Sequence, residues 1–523
     1  MLSSPRRGTI ATSVAIAVLL TAGALPAWSQ SRCVARLRAI ERRDLPTFSE
    51  LSTTRARSIF ADAAECSVTD SAKPPLIRPL LPRIRLTYAG GLPDADEEGE
   101  MWSGRGITVA LRGGVVFEKG FLHVVIAPEI IATQNASFDH EGSRDTSRSS
   151  SASPFYSGKG FSLDYPTQFG ASAFTRATPG ASTAWISQYN ISLGISASPQ
   201  QWGPGTRGSL LLGAASQGIP RVFLRTSSPV EGSLGVFDAV MFIGTITESQ
   251  YFDHNPNNNY RSLSSLGVSW SPTQAGHFTV GIARAVMHPI FYSVPNVKRT
   301  LDVFRPTNHN ADEMESVFMR VGSATDALSA WAEVARNKPG FGLHSFLTIP
   351  YDAVSYIIGA RAIAPLKSGT LVALAEAANL EQGEDIVGEG PHDFYSGNVN
   401  PQGWTQRGRP IGDGIGPGGQ SQFASLDWIF HSSRIGGFVE RVRRNEDALF
   451  REYLAYPNRH DVSLEAGVRS AHVWFGQEIS TEVSIGRRIN FEFQNAIYLP
   501  NVRTVDVWTP RIRFSVTPLA QRQ

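Results

Sequence analysis

The sequence is poor in charged residues, in cysteines and in long apolar runs. Charged residues make up 18% of its 523 residues, whereas soluble domains carry roughly 25%. Its 48 basic and 46 acidic residues leave a formal net charge of +2, and no basic arm stands out. Nucleic acid is therefore not expected as a partner. Beyond the first 29 residues, no apolar run approaches the ~20 residues that a membrane helix needs. If the mature chain lies in a membrane, it must cross as a closed barrel.

The N-terminus has the pattern of a secretory signal peptide. Arg6 and Arg7 precede an apolar run from Ile10 to Leu25, and Ala27-Trp28-Ser29 forms a small-x-small cleavage site. This order of basic, apolar and small residues is typical of an exported chain. Residues 1–29 are therefore assigned to the signal peptide and set aside from the fold.

Only two cysteines, Cys33 and Cys66, are present. Export to an oxidising compartment favours a disulfide between them, and two free thiols are the alternative. Helix-like spacing lies between them, and Thr47-x-x-Glu50 is typical of a capping box that opens a second helix toward Phe60. The sequence thus predicts a periplasmic helical segment over residues 30–80.

What the chain has in abundance is period-two alternation. From Glu478 to Ile485, Ile479, Thr481, Val483 and Ile485 share one parity, and the other parity is polar. Side chains alternate across a strand, so one face is apolar and one polar. A similar pattern follows from Ile489 to Gln494, and we expect a tight hairpin at Gly486-Arg487-Arg488 between the two.

Similar patterns recur from residue 81 to the end. They include a predicted hairpin between Gly106–Phe117 and Phe121–Ala132, and short turns contrast with a long polar loop over about 134–183. The predicted fold class is all-β: a transmembrane antiparallel β-barrel of about 18 strands spanning 81–523, with long extracellular loops. If each strand reverses direction, the loop at 382–420 falls on the side opposite to the other long loops, which indicates that one hairpin is miscounted.

Two loops carry distinctive glycine-rich strings. The first contains Trp202 and Arg207, with Gly203, Pro204 and Gly205 shaping its turn. A tryptophan held in such a loop suits stacking on a sugar ring. The alternative is a structural turn that places Trp202 in the barrel interior.

The second string runs from Gly403 to Gly419 and contains Trp404, Arg407 and Arg409, with Gly412 and Gly416 as structural glycines. No Gly-Lys-Ser/Thr follows, so nucleotide binding is rejected. The two arginines are candidates for clamping acidic groups of an anionic polymer. The alternative is a plug or surface loop whose arginines are solvated.

Together with Gly436–Asn445, these strings resemble the Wzi capsule-assembly family. The resemblance rests on three strings in the family's order: Gln201-Trp202-Gly203-Pro204-Gly205 with Ser209-Leu210-Leu211-Leu212, Gly403–Gly412 with Gly416–Gly419, and Gly436–Asn445. It implies an outer-membrane barrel with periplasmic helices that binds exported polysaccharide at the cell surface as a lectin. Ligand contacts expected on this basis and on the side-chain chemistry are Trp202, Arg207, Trp404, Arg407 and Arg409.

The preferred hypothesis is a monomeric protein of the bacterial outer membrane, surrounded by its lipid, that attaches or assembles capsular or extracellular polysaccharide. No catalytic residue, metal or cofactor is assigned. A general diffusion porin is the alternative, and a hydrolase is a weaker one. His392-Asp393, His460-Asp461 and Asp139-His140-Glu141 hint at catalysis or metal binding, but no Gly-x-Ser-x-Gly or His-Glu-x-x-His string accompanies them.

Overall fold

The computed structural model describes residues 60–61, 76–93, 99–143, 145–156, 161–273, 276–305, 310–323, 327–337, 354–382, 393–431, 433–452, 459–494 and 506–518. The predicted signal peptide and the cysteines Cys33 and Cys66 lie outside these residues. Among the described residues, no helix is long and apolar enough to cross a bilayer.

The described strands form one closed antiparallel barrel of 18 strands, which confirms the predicted all-β barrel of about 18 strands; the predicted N-terminal helical segment lies almost entirely outside the described residues. In chain order the strands are β1 Ile77–Ala89, β2 Gly106–Lys119, β3 Leu122–Ile126 with Glu129–Thr133, β4 Phe174–Thr178 with Thr183–Gln188, β5 Ile191–Ser196, β6 Arg221–Thr226 with Val230–Gly232, β7 Gly235–Thr247, β8 Tyr260–Ser271, β9 Phe278–Ile290, β10 Asp312–Gly322, β11 Leu328–Arg336, β12 Val354–Leu366, β13 Gly369–Asn379, β14 Gln420–Phe430, β15 Ser433–Arg444, β16 Asp461–Trp474, β17 Gln477–Ile489 and β18 Val507–Pro518. Each strand pairs with its neighbours in sequence, and β1 closes the ring on β18, where Ile84 faces Val516.

Period-two alternation decides which side chains face out of the barrel. On β17, Val483 and Ile485 are 44% and 57% exposed, whereas Glu478 and Ser484 are buried inside. Outward-facing apolar residues recur around the ring, as expected of a wall that faces lipid. The parity predicted for Glu478–Ile485 is therefore confirmed.

The predicted hairpin at Gly486-Arg487-Arg488 is wrong. Strand β17 runs straight through these residues to Ile489, and the turn that joins it to β16 lies at Phe475-Gly476. Both turn residues have positive φ, 46° and 69°, as a two-residue type I′ turn requires. The stretch after Ile489 is a short 3-10 turn, Phe491–Phe493, rather than a strand.

The connections divide cleanly between the two ends of the barrel. One end has the short turns, where exposed aromatic residues cluster as at a membrane interface: Phe121, Tyr189, Trp474 and Phe475. The other end has the nine long connections, including 90–105, 134–173, 197–220, 380–419 and 490–506. The connection at 380–419 thus lies on the same side as the other long loops, in agreement with the inference that a hairpin was miscounted in the sequence.

Part of the segment assigned to periplasmic helices lies inside the barrel. Phe60–Ala61 forms a two-residue strand paired with Gln201–Trp202. The Phe60 ring is fully buried and packs edge-on against Trp202 and Phe318, with centroids 5.3 and 5.9 Å apart. The barrel wall begins at Ile77, slightly before the predicted boundary at 81.

Candidate functional site

Two long connections fold back into the lumen and fill it. We call residues 197–220 and 393–419 the plug; their side chains form one buried apolar cluster with inward-facing residues of the wall. Trp202 packs edge-on against Phe242 of β7, with ring centroids 5.5 Å apart. The apolar contacts fix the loops in place, but their polar backbone groups also need partners once they are away from water.

Carboxylates on the wall supply those partners. Glu376 of β13 accepts the backbone N–H groups of Thr206 and Arg207, each at 2.7 Å, and that of Gly208 at 3.2 Å. The indole of Trp331 on β11 also donates to Glu376, at 2.8 Å. One buried carboxylate thus fixes the tightest part of the first glycine-rich loop, because charge-assisted hydrogen bonds are the strong ones.

The second plug loop is held in the same way. Asp312 of β10 accepts the backbone N–H groups of Asn398, Val399 and Asn400 at 2.7, 3.0 and 2.9 Å. Arg261 of β8, which is fully buried, donates to the Thr405 carbonyl at 2.9 Å. The loops are therefore fixed to the wall through their backbone.

A tyrosine joins the two plug loops to each other. The Tyr395 hydroxyl donates to the Leu210 carbonyl at 2.8 Å and accepts the Asp413 N–H at 2.7 Å. Burial raises the pKa of this hydroxyl well above its ordinary value, so it stays protonated. The plug thus behaves as one packed unit.

The glycines singled out in the sequence serve this packing. Gly203 and Gly416 have φ values of +113° and +79°, where a side chain is strained. A Cβ on Gly205 would collide with the Gly208 carbonyl, and one on Gly412 with the Leu210 carbonyl. Their neighbour Pro204 is half-buried at the same turn.

The five expected ligand contacts do not form one exposed surface. Trp202 and Trp404 are 1% and 0% exposed inside the plug. Arg207 faces the lumen, where it pairs with Glu440 at 3.0 Å and lies over the Phe423 ring at 4.4 Å. Arg407 is exposed and has φ +50°. The structure thus matches the alternative that placed Trp202 in the barrel interior.

Arg409 leads to a different site. It is 6% exposed, donates to the Met101 carbonyl at 3.0 Å and lies beside the Trp102 ring. Together with Gly408, Pro410 and Gly414 it lines a cleft at the long-loop end of the barrel, with a cavity volume of about 100 Å³ inside a recess of about 930 Å³ that is open to solvent. The cleft lies between the plug, the loop at 134–173 and the ends of β15 to β18.

The walls of the cleft are aromatic and basic. Six aromatic residues line it, two of which, Phe138 and Tyr165, are half-exposed: Trp102, Phe138, Phe155, Tyr165, Phe169 and Phe491. Four arginines line it as well: Arg409, Arg444, Arg488 and Arg511. Aromatic faces beside guanidinium groups suit a ligand that has apolar ring faces and hydroxyl or carboxylate edges.

The guanidinium groups of three cleft arginines bind acceptors on nearby strands. Arg488 makes two bonds of 2.6 Å to the Asp461 carboxylate and lies 4.5 Å over the Phe491 ring. Arg511 pairs with Glu465, and Arg444 donates to the Ser463 hydroxyl at 2.8 Å. These contacts hold the guanidinium groups in defined positions, which lowers the entropy lost when a ligand binds.

A strained turn places a buried carboxyl in the cleft. Asn490, Glu492 and Phe493 have φ values of +52°, +54° and +63°, a conformation that side chains other than glycine seldom adopt. Glu492 is 3% exposed; one carboxyl oxygen accepts the Glu141 N–H at 2.6 Å, and the other, Oε1, has no hydrogen-bond partner among the described residues. Burial is the main cause that raises the pKa of Glu492 to about 8.

Most residues of this cleft were not predicted from the sequence. Arg409 was named, and Arg444 falls within the third string of the resemblance, but Phe138, Phe491 and Glu492 were not candidates. Phe491 and Glu492 were assigned to a strand. The signal that could have identified the turn is Asn490, since asparagine tolerates left-handed backbone better than most residues.

The acidic–histidine strings are part of the structural network. His460 Nδ1 lies 2.6 Å from Glu446 of helix α1, Glu446–Glu452, and Asp461 pairs with Arg488. Asp393 is bound by Arg451 at 2.8 Å. His392 lies outside the described residues. Among the described residues, no group of three or more His, Cys, Asp and Glu is arranged to hold a metal ion.

Comparison with known proteins identifies this architecture. No protein-family model and no curated protein sequence matches the chain. Among solved structures, it is similar to Wzi from Escherichia coli, described as an outer-membrane protein involved in group 1 capsule assembly and a carbohydrate-binding β-barrel. The identity is 11%, the TM-score 0.57, and the match covers 94% of this chain and 99% of that one.

Two other solved structures are more distant. OccAB3 from Acinetobacter baumannii and OccK2 from Pseudomonas aeruginosa each match at 10% identity and a TM-score of 0.39, covering 84% and 85% of this chain and 98% of their own. The likeness to Wzi supports, at the level of the fold, the resemblance indicated by the sequence strings: the chain folds as a Wzi-like barrel.

Proposed function

We propose that this chain is a bacterial outer-membrane protein that binds a capsular or extracellular polysaccharide in the cleft at the long-loop end of its barrel. The observation that carries the proposal is the cleft itself, in which half-exposed aromatic rings stand beside fixed guanidinium groups. Long connections of outer-membrane barrels face the cell exterior. A polymer at the cell surface would therefore meet this end of the protein.

The filled lumen supports the same proposal over the diffusion-porin alternative. A porin needs a wet passage, whereas Trp202, Trp404 and Tyr395 pack across the centre of this barrel. The outward-facing apolar wall supports a place in the outer membrane, and the Wzi-like fold supports a part in surface attachment of the polymer. We propose that the protein acts as a monomer without catalysis.

Binding by the purified protein tests the cleft directly. Arg444→Gln should weaken binding of the host's surface polysaccharide by about tenfold or more, since hydrogen bonds to charged groups contribute roughly 1.5–3 kcal/mol. Phe138→Ala should weaken it by several-fold to about tenfold, since it removes an aromatic face whose stacking contributes roughly 0.5–1.5 kcal/mol beyond the area it buries. Arg487 and Trp508 are the matched control: they form a similar arginine–aromatic pair, 5.5 Å apart, but on the outer wall.

Heat-modifiable migration on gels confirms that each variant still forms a barrel. Arg487→Gln and Trp508→Ala should leave the affinity unchanged. If the cleft variants fold and bind as tightly as the wild type, the cleft is not the binding site. If the wild type binds no surface polysaccharide at all, the proposed function is wrong.

A further inference from the structure

One long connection packs on the outside of the barrel, not in its lumen. We call residues 291–305 the strap; it follows β9 and includes the 3-10 helix Val297–Phe304. Val303 is buried against Val286 of β9, with Met241 and Leu266 packed beside them. These wall residues have outward parity, so the strap covers part of the surface that elsewhere faces lipid.

Side chains of the wall fix the backbone of the strap. Thr245 of β7 donates to the Ser293 carbonyl and Ser264 of β8 to the Arg299 carbonyl, each at 2.9 Å. Arg284 of β9 donates to the carbonyls of Val303 and Arg305, at 3.1 and 2.9 Å. The strap therefore crosses three strands in a fixed orientation.

The covered wall is unusually polar for a lipid-facing surface. Arg284 also pairs with Glu313 and Glu315 of β10, and His288 lies 3.0 Å from Asp302 of the strap. A bare charge on the lipid face destabilises a barrel, most strongly near the bilayer centre and less near its surface. By providing partners and cover, the strap lets these groups stay on the outer wall.

The opposite side of the strap is apolar and unpartnered. Six large apolar side chains point away from the wall and are between 52% and 80% exposed: Phe291, Tyr292, Val294, Val297, Leu301 and Phe304. A surface loop in water seldom shows so many in so short a stretch. Just beyond the strap, Ile282 and Val317 continue the apolar wall at 58% and 52% exposure.

Basic residues lie among these apolar side chains. Lys298 is exposed, and the side chains of Arg299 and Arg305 are 47% and 66% exposed. The one acidic residue of the strap, Asp302, is 12% exposed; besides His288 of the wall it pairs with Arg299 and Arg305, at 3.3 and 3.5 Å, and leaves both guanidinium groups about half or more exposed. The outer side of the strap is therefore both apolar and cationic, which is the pattern of an element that lies in a membrane interface beside anionic headgroups.

We propose that the strap is a lipid-binding element embedded in the outer leaflet. Its apolar side chains enter the acyl region, and Lys298, Arg299 and Arg305 bind phosphate groups of an anionic, phosphorylated lipid. A groove beside the strap is lined by Val124, Ile126, Ile195 and Val222 together with Ser293 and Pro295 of the strap, and it takes the acyl chains. The strap then fixes the depth of the barrel in the leaflet.

Spin-label accessibility tests the depth in the full chain reconstituted into outer-membrane lipid. A nitroxide is attached at Leu301→Cys, with Cys33 and Cys66 replaced by serine. Ile282→Cys is the lipid-facing reference, and Asn255→Cys, which is exposed in the connection between β7 and β8, is the water-facing reference. The oxygen-to-nickel accessibility ratio at position 301 should match that at 282.

Either of two results would show that the strap is not embedded in the outer leaflet. A ratio at 301 that matches the ratio at 255 places the strap in water. Spin–spin broadening between labels at 301 means that a second copy of the chain, not lipid, covers the strap.

Lipid retention tests the phosphate contacts without changing the cysteines. Protein extracted in mild detergent should retain at least twofold less phosphorylated lipid when Lys298, Arg299 and Arg305 are all replaced by glutamine. Lys119→Gln with Lys367→Gln, at exposed positions of the short-turn end, should retain as much as the wild type. Equal retention by all three proteins overturns the headgroup assignment. Polysaccharide binding should be unchanged throughout, so failure of this proposal is distinguishable from failure of the proposed function.

Discussion

The Glu376 carboxylate accepts the backbone N–H of Arg207 at 2.7 Å, and this bond joins the wall of the barrel to the plug. Because the same carboxylate binds two neighbouring N–H groups and an indole, its removal leaves several buried donors without an acceptor. Each such donor costs roughly 1–3 kcal/mol. The stability of the plug therefore depends strongly on one side chain.

Glu376→Ala should loosen the plug and increase ion conductance. In a planar bilayer the wild type should be silent or nearly silent, whereas the variant should open frequently. Glu482→Gln is the control, because Glu482 pairs with Arg513 on the wall and is separate from the plug. A large, steady conductance in the wild type would mean that the plug leaves a passage, and the porin alternative would then be preferred.

Trp202→Ala should destabilise the barrel, whereas Arg407→Ala should not. Truncating a fully buried aromatic residue costs roughly 3–5 kcal/mol, and Trp202 is 1% exposed. Arg407 is exposed, so its truncation should stay within about 0.5 kcal/mol. The temperature at which each protein loses heat-modifiable migration measures the difference. Equal temperatures for the two variants would contradict the burial of Trp202 in the plug.

Glu492→Gln should reduce the pH dependence of stability. Burial raises the pKa of Glu492 in the folded state from 4.5 to about 8, so the folded chain binds this proton more tightly than the unfolded chain. The contribution of this group is complete below pH 4.5 and is lost as the pH rises toward 8. The wild type should therefore lose more thermal stability between pH 6 and pH 9 than the variant does. A control, Asp139→Asn, changes an exposed carboxylate and should behave as the wild type.

Gly412→Ala should disrupt the contact between the two plug loops. The added methyl group would collide with the Leu210 carbonyl and the Tyr395 hydroxyl, and overpacking of this kind costs roughly 1–3 kcal/mol. Gly232→Ala is the matched control, since the nearest atom to its added Cβ is 3.8 Å away. Protease resistance of the plug loops in the intact barrel should fall in the first variant only.

The wall of the barrel could be predicted from the sequence because its signal is local. Alternation puts Val483 and Ile485 on one face and Glu478 and Ser484 on the other, and the assignment to a membrane barrel makes the apolar face the outward one. The hairpin at Gly486 was wrong because a glycine can also serve packing: in β17 it allows close approach to Thr509 of the neighbouring strand. A strand that forms part of the barrel wall can therefore continue through such a glycine.

The candidate site could be predicted only in part, because it depends on contacts between distant segments. Trp202 and Trp404 have the chemistry of sugar-stacking residues, and nothing local distinguishes a tryptophan in a plug from one in an open loop. Phe138 and Phe491 meet in the cleft, 6.3 Å apart, although more than 350 residues separate them in sequence. Whether the connection at 291–305 packs in the lumen or on the outer wall could not be predicted either. The length of a loop is compatible with both positions.

The burial of Phe60 beside Trp202 constrains the order of assembly. This residue precedes the first strand of the wall, yet its ring lies within a ring of strands that closes only when β18 pairs with β1. The last strand pairing must therefore form around a segment already in place, or that segment must enter afterwards from an open end. A nick between residues 67 and 77 would leave Phe60, with Cys33 and Cys66, on a separate peptide with no covalent link to the barrel wall, so that a synthetic peptide added during refolding could take its place.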